Sequence, residues 1–338
     1  MFRQANSPAP TLPLLITGVA GVPGYNAWRY FSQKYPGQVI GIRQHDNWRL
    51  EGPGIVACNA EDRIAVEELF DRHEFGSVLD SAGVCALKSC ELNPEMAWRV
   101  NVAGAENLVE TAVARNVRLV HLSVDLVFSG ERDGGHVEDD PTDPVTMYGK
   151  TMVAAEESIL ARMAAACILR ISLPMGVSFN GHAGAIDWIQ SRFKKSKPAT
   201  LFYDEVRTPT YTDCLNRLYE TMLSNDLAGI YHAGGQRAMT LYEIAQVINR
   251  AGGYDPKCLM GCLRSQAGPM PPRAGNVAMN CDKLVAALDY HPLDAWPWCE
   301  SLVPTHDAWH HDRPTDWPGS PAFLAQVLYR NPARTSDE

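Results

Sequence analysis

No stretch of this 338-residue chain approaches the ~18 consecutive apolar residues that a membrane-crossing helix requires, so no membrane association is expected. Positive charge in blocks is missing too. Thirty Lys+Arg face 39 Asp+Glu, for a net charge of −9, and the densest basic run is Arg192-Phe193-Lys194-Lys195. Such a run reads as a helix end, and nucleic acid is not an expected partner. There is no Gly-x-x-x-x-Gly-Lys phosphate loop, no His-Glu-x-x-His helix and no Gly-x-Ser-x-Gly elbow, which removes three hydrolytic chemistries. The nine cysteines offer no two pairs of matching spacing: Cys258 and Cys262 stand alone, so zinc is not expected. An odd number of scattered cysteines in a long chain reads as reduced thiols and a cytoplasmic protein. His306, His310 and His311, beside Asp307 and Asp312, read as solvated or capping groups, and no metal site is expected.

What the chain does have is glycine at a telling spacing. The apolar run Leu14-Leu15-Ile16 leads into Thr17-Gly18-Val19-Ala20-Gly21-Val22-Pro23-Gly24 and then an amphipathic run from Tyr25 to Tyr35. That order predicts strand, tight turn and helix, the cradle of a dinucleotide. Gly18 permits the turn, Gly21 lets backbone approach a pyrophosphate, and Gly24 lets the helix sit close to the strand. Val22 and Pro23 open the helix, where Pro loses nothing and unpaired N–H groups face the phosphates.

Strand and helix continue to alternate. Strands are expected at Gln38 to Arg43, Ile55 to Cys58, Ser77 to Leu79, Arg118 to Ser123 and Ala166 to Ile171. Helices are expected from about Glu61 to His73, with Ile64, Val66, Leu69 and Phe70 toward the sheet, and from Glu95 to Val113. This pattern predicts an α/β fold, a doubly wound parallel sheet with ligands at the strand C-termini and a smaller C-terminal lobe. Arg43 ends the second strand about 20 positions past the glycines, where an Arg can pair with a 2′-phosphate, so NADP is expected, with NAD as the other candidate. Asn59 is placed to touch the adenine. Ala82 and Gly83 allow a flat ring or diphosphate to approach closely.

Further on, Thr240-Leu241-Tyr242-Glu243 has the pattern of a capping box. The expected boundaries are a dinucleotide-binding domain over 12–176, to which 209–234 returns, and a substrate lobe over 177–208 and 235–330. Residues 1–11 are expected to be a mobile leader and 331–338 a disordered tail. Trp188, Trp296, Trp298, Trp309 and Trp317 read mostly as packing.

Thr17 to Gly24, Asn101, Ser123-Val124-Asp125-Leu126-Val127-Phe128 and Tyr148-Gly149-Lys150-Thr151-Met152 with Glu156 together resemble the extended short-chain dehydrogenase/reductase family. Within it the likeness is to dTDP-4-dehydrorhamnose reductases. It continues through Asp204 to Thr210, Gly229 to His232 and Pro272-Arg273, covering roughly residues 13 to 300. The resemblance implies an oxidoreductase that reduces a 4-keto group of a nucleotide-linked deoxysugar, with Asn101 and Tyr148 at the cofactor, Arg207 and Arg273 near the substrate, and a homodimer. It also implies a triad of Tyr, Ser/Thr and a Lys four residues after the Tyr, and here the chain departs from the pattern. Tyr148 is present, but Val124 and Met152 fill the other two places, and neither can donate a hydrogen bond. Lys150, at i+2, points some 200° away around the helix. Asp125 is the nearest other acid, able to serve only if the strand has ended before it. Two readings follow: a reductase with substitutes for the missing groups, or a binding protein similar in role to the regulatory subunit of methionine adenosyltransferase.

Overall fold

The structure is a computed structural model, which describes residues 9–182, 184–313 and 319–329. In chain order the first half runs β1 (Leu14–Ile16), α1 (Val22–Lys34), β2 (Val39–Arg43), β3 (Ile55–Ala57), α2 (Arg63–His73) and β4 (Ser77–Asp80). Then come α3 (Leu87–Leu92), α4 (Pro94–Trp98), a π turn (Arg99–Ala103), α5 (Gly104–Ala114), β5 (Arg118–Val124), α6 (Met147–Arg162) and β6 (Cys167–Ile171). The second half adds β7 (Pro174–Met175), α7 (Ala185–Lys194), β8 (Ala199–Phe202), β9 (Val206–Arg207), β10 (Thr210–Tyr211), α8 (Thr212–Leu223) and β11 (Gly229–Ala233). It closes with β12 (Met239–Thr240), α9 (Leu241–Ala251), β13 (Leu259–Cys262), α10 (Asp282–Leu288) and α11 (Pro321–Tyr329).

Seven strands form one parallel sheet in the order β11-β6-β5-β4-β1-β2-β3. Every residue of β1, β4 and β6 is buried, as strands covered on both faces must be. The order reverses beside β1, and that reversal opens a crevice at the strand C-termini. The remaining strands make three small pairs, β7 with β10, β8 with β13 and β9 with β12.

Two expectations about helices need correction. Ile64 does not face the sheet: it is 68% exposed, while Val66, Leu69 and Phe70 are buried. The helix expected as one piece from Glu95 to Val113 contains the π turn around Asn101. The Thr240 capping box is present, with its hydroxyl accepting from the Glu243 amide at 3.0 Å and the Glu243 carboxylate accepting from the Thr240 amide at 2.7 Å. The leader is anchored at its end, since the Thr11 carbonyl accepts from Ser77 Oγ at 2.7 Å. The expected tail, 331–338, and Trp317 lie outside the described residues. Of the other tryptophans, Trp296 and Trp309 are buried and Trp188 and Trp298 are exposed. Among the described residues no helix is long and apolar enough to cross a membrane, and no cluster of three or more His, Cys, Asp or Glu is placed to hold a metal.

Candidate active site

Three glycines build the cradle, each for a different reason. Gly18 has φ +62°, and a Cβ there would lie 2.3 Å from the Ser81 carbonyl oxygen. A Cβ at Gly24 would meet the Gly18 carbonyl at 2.4 Å and Ser81 Oγ at 2.6 Å, so helix α1 touches the loop and admits no side chain. Gly21 is different. Its nearest neighbour is the Gly18 carbonyl at 3.4 Å, leaving the space beyond it open to a ligand. Gly21 is also the N-cap of α1, with Val22 and Pro23 next, no side-chain cap and no acid in the first turn. The positive end of the helix is thereby left for an anion.

Beneath this loop lies a latch of buried polar groups. Thr17 Oγ1 donates to Asp80 Oδ1 at 2.6 Å and accepts from the Ser81 and Ala82 amides, each at 2.9 Å. His121 Nδ1 lies 2.7 Å from Asp80 Oδ2, and both side chains are almost wholly buried. Burial works against the charge of Asp80, but the His121 hydrogen bond and the neighbouring donors outweigh it and lower its pKa. The latch ties the ends of β1 and β4 to the middle of β5 and fixes Ser81, Ala82 and Gly83, which form one wall of the cleft. A carboxylate ending the apolar run Ser77-Val78-Leu79 was the sequence signal for it.

The opposite wall holds Arg43, Gln44, Asn47, Cys58 and Ala60. Arg43 reaches the cleft, but its Nε donates to the Leu50 carbonyl at 2.6 Å and one Nη to that of Gln44 at 3.1 Å, which braces the loop after β2. Asn59 braces the same loop, its Oδ1 accepting from the His45 amide at 3.0 Å, while Cys58 and Ala60 line the wall. Asn101, in the π turn, accepts from the Val84 amide at 2.7 Å and donates to Thr151 Oγ1 at 2.8 Å, joining the loop after β4 to α6. A π turn at such a junction is a common mark of functional sites.

Tyr148 starts α6, held by Thr146 as N-cap. It packs in an apolar cluster with Met152, Leu126 and Cys90, against which Val84, Leu87 and Val124 also lie. Met152 is 2% exposed, so the place four residues past the tyrosine is filled by a packed thioether. Lys150 is exposed and does not replace the missing ammonium. Ser123 is committed elsewhere, to Glu156, which also forms a buried bidentate pair with Arg170 at 2.7 and 2.9 Å. The Tyr148 hydroxyl is raised well above the ordinary phenol range by burial, then by the neighbouring Cys85 and Asp125, with Arg207 acting in the other direction.

Asp125 follows the end of β5 directly, in a short 3₁₀ turn. Its two oxygens accept from Arg207 Nε at 2.7 Å and Nη2 at 2.5 Å, and Ser172 Oγ also donates to it. Both oxygens of Asp125 are thus occupied by donors, whereas the sequence offers it as free to act on a substrate. Arg207 leads on to Glu205, 4.0 Å away, and Glu205 to Arg273 through two contacts of 2.5 and 2.8 Å. The arginines expected at the substrate thus form a ladder of alternating charge from Asp125 outward, with the half-buried Arg273 its outer end.

Comparison with known proteins gives this arrangement a context. The family model described as the RmlD substrate binding domain matches residues 12–305. A probable low-salt glycan biosynthesis reductase of Haloferax volcanii is 28% identical over 57% of this chain and 65% of its own, so the match spans just under two thirds of that relative. Methionine adenosyltransferase 2 subunit beta of Xenopus laevis is 27% identical over 83% of this chain and 84% of its own. Among solved structures, the dTDP-4-dehydrorhamnose reductase of Bacillus anthracis in complex with NADP superposes with a TM-score of 0.72 at 18% identity, covering 83% of this chain and 94% of that one. That likeness shows the fold.

Proposed function

The chain belongs to the RmlD substrate binding domain family, of the extended short-chain dehydrogenase/reductase type, and from that footing we propose that it binds NADP(H) in the glycine-walled cleft and a nucleotide-linked 4-keto deoxysugar beside Tyr148, reducing the ketone at a low rate. The dinucleotide, when bound, supplies the hydride. Gly21 and the N-terminus of α1 receive the pyrophosphate, Ala82 and Gly83 admit the flat rings, and Arg43 lies at the adenosine end. Tyr148 holds the proton for the carbonyl oxygen. The observation that carries the reading is this phenol: it stays protonated through neutral pH and stands beside the Asp125–Arg207 pair at the strand C-termini. The rate is low because Val124 and Met152 leave the ketone without a second donor and the tyrosine without an ammonium; loss of each such group commonly lowers a rate ~10²-fold.

A second reading has its own support. Met152 and Val124 pack around Tyr148 as a continuous apolar cluster, which suits a protein that binds without turnover, and a relative of comparable length is a subunit of another enzyme. NADPH absorbance followed after addition of dTDP-4-dehydrorhamnose separates the two. Slow oxidation abolished by Tyr148→Phe supports the reductase. Tight binding of both ligands with no oxidation over hours favours the binding protein, and failure to bind NADP(H) or NAD(H) sinks both.

A further inference from the structure

Glu61 stands where β3 hands over to α2, and it lines the same cleft as Gly18, Gly21 and Arg43. Its Oε2 is buried and, among the described residues, has no hydrogen-bond partner. Helix α2 does not use it. The N-cap is the next residue, Asp62, whose side chain accepts from the Ala65 amide at 3.1 Å, and Arg63 is committed to Glu67 at 2.9 Å and Glu110 at 3.0 Å. A carboxylate oxygen taken out of water without a donor costs free energy, which a donor on a bound ligand would offset.

The segment that carries Glu61 is fixed on both sides. The Cys58 amide donates to the Arg43 carbonyl at 2.9 Å, and the Ala60 carbonyl accepts from Asn107 Nδ2 at 3.0 Å. Helix α5 comes so close that a Cβ on Gly104 would lie 3.4 Å from the Ala60 Cβ and 3.6 Å from the Glu61 amide nitrogen. Val100, in the π turn before Gly104, lines the cleft with Cys58 and Ala60, so the surroundings of Glu61 are apolar walls. Such walls suit a flat aromatic ring, and a carboxylate, which only accepts, suits a ring edge that carries an N–H donor. Asn59, the residue expected at the adenine, already accepts from the His45 amide.

We propose that Glu61 reads the base of the dinucleotide: it accepts from the exocyclic amine of a 6-aminopurine and selects that base over a 6-oxopurine. A 6-oxo group would set a second acceptor against the carboxylate, and a mismatched polar edge discriminates more sharply than a change of shape. The other donor on this half of the ligand, a ribose hydroxyl, would bring the carboxylate to the 2′-phosphate assigned to Arg43, and like charge opposes that.

The assignment rests on the dinucleotide reading above, and the experiment tells the two apart. Calorimetry on the full-length protein compares NADP⁺ with nicotinamide hypoxanthine dinucleotide phosphate, which carries the 6-oxo group, and with NAD⁺. Wild type should bind NADP⁺ at least ~10-fold more tightly than the hypoxanthine analogue. Glu61→Gln, whose amide both donates and accepts, should bind the two within ~3-fold of one another, with the unliganded melting temperature unchanged and the ratio of NADP⁺ to NAD⁺ affinity moved by no more than ~3-fold. Glu61→Ala should lose the base preference likewise. Equal wild-type affinities for the two bases, or a glutamine variant that keeps the preference, overturns the role of Glu61 while cofactor binding stands. A variant that shifts the NADP⁺ to NAD⁺ ratio and leaves the base preference intact assigns the carboxylate to the ribose and overturns it as well. A wild type that binds none of the three overturns the dinucleotide reading and this role with it.

Discussion

Met152→Lys restores the residue that the family places four positions after the tyrosine, and the surroundings of Met152 set what it should do. The side chain is 2% exposed among the apolar side chains of Tyr148, Leu126, Cys90 and Val124. An ammonium placed there loses water, and a dinucleotide ribose would give it hydroxyls to bind. If burial lowers the lysine by ~3 units from ~10.4, the folded state is disfavoured at neutral pH by about 4 kcal/mol. For a chain of this size that is about 6 °C in melting temperature. The folded pKa lies below the unfolded one, so the unfolded state holds the extra proton between them, and the deficit should shrink as pH rises from ~7.5 toward ~10. Differential scanning fluorimetry of wild type and variant across pH, with and without saturating NADP⁺, reads it directly. NADP⁺ should recover more stability in the variant than in wild type, because the ammonium then has hydroxyls to bind. Combined with Val124→Thr, the variant should reduce dTDP-4-dehydrorhamnose ~10²-fold faster than wild type, with the two changes coupled. A melting temperature within ~2 °C of wild type and flat with pH would refute the account of the cluster as apolar.

The glycines should separate binding from folding: Gly21→Val should stay folded by circular dichroism and lose at least ~10²-fold in NADP⁺ affinity, whereas Gly24→Val, whose Cβ would meet the Gly18 carbonyl at 2.4 Å, should lower the melting temperature as well. Equal folding losses would mean that Gly21 is packed like Gly24. Arg43→Ala should cut the ratio of NADP⁺ to NAD⁺ affinity by ~10-fold or more in calorimetry, and an unchanged ratio would assign the 2′-phosphate to another group. His232 and His310, 0% and 1% exposed, are each pushed down to about 4, chiefly by burial. Both are lowered below the unfolded value of ~6.5, so their neutral forms contribute stability that is intact above ~6.5 and lost as pH falls toward 4, on the order of 3 kcal/mol each. Urea midpoints at pH 7, 5.5 and 4.5 should fall accordingly, and His232→Gln should flatten the slope; an unaltered slope would show that His232 does not carry it.

The cradle was legible in the sequence because its causes are local. Spacing among Gly18, Gly21 and Gly24, a proline at the start of a helix and alternating apolar periods all act within a few residues. The same holds for the capping box at Thr240 and Glu243. What escaped was pairing across distance. Arg207 and Asp125 stand 82 positions apart and meet through two hydrogen bonds, so the sequence offered both as free to act on a substrate when each is occupied by the other. Arg43 shows the same limit on a smaller scale. Its position at the end of β2 could be counted from the glycines, but the direction of its guanidinium depends on a loop that folds back to offer the Leu50 carbonyl. Ile64 failed for a different reason: it sits in the first turn of α2, where the helical period had too few residues before it to fix a face.

Strand β11 pairs along its whole length with β6, from Gly229 opposite Cys167 to Ala233 opposite Ile171. During synthesis β6 leaves the ribosome well before β11, and the intervening segment, with β7 through α8, must emerge in between. Until then β6 is a fully buried-type strand with one row of backbone donors and acceptors bare, the kind of edge on which nascent chains associate with one another. The sheet is therefore completed late and from downstream, and a fragment ending after β6 should be sticky, not merely smaller. Any attempt to express the dinucleotide cradle by itself should carry the chain through Ala233.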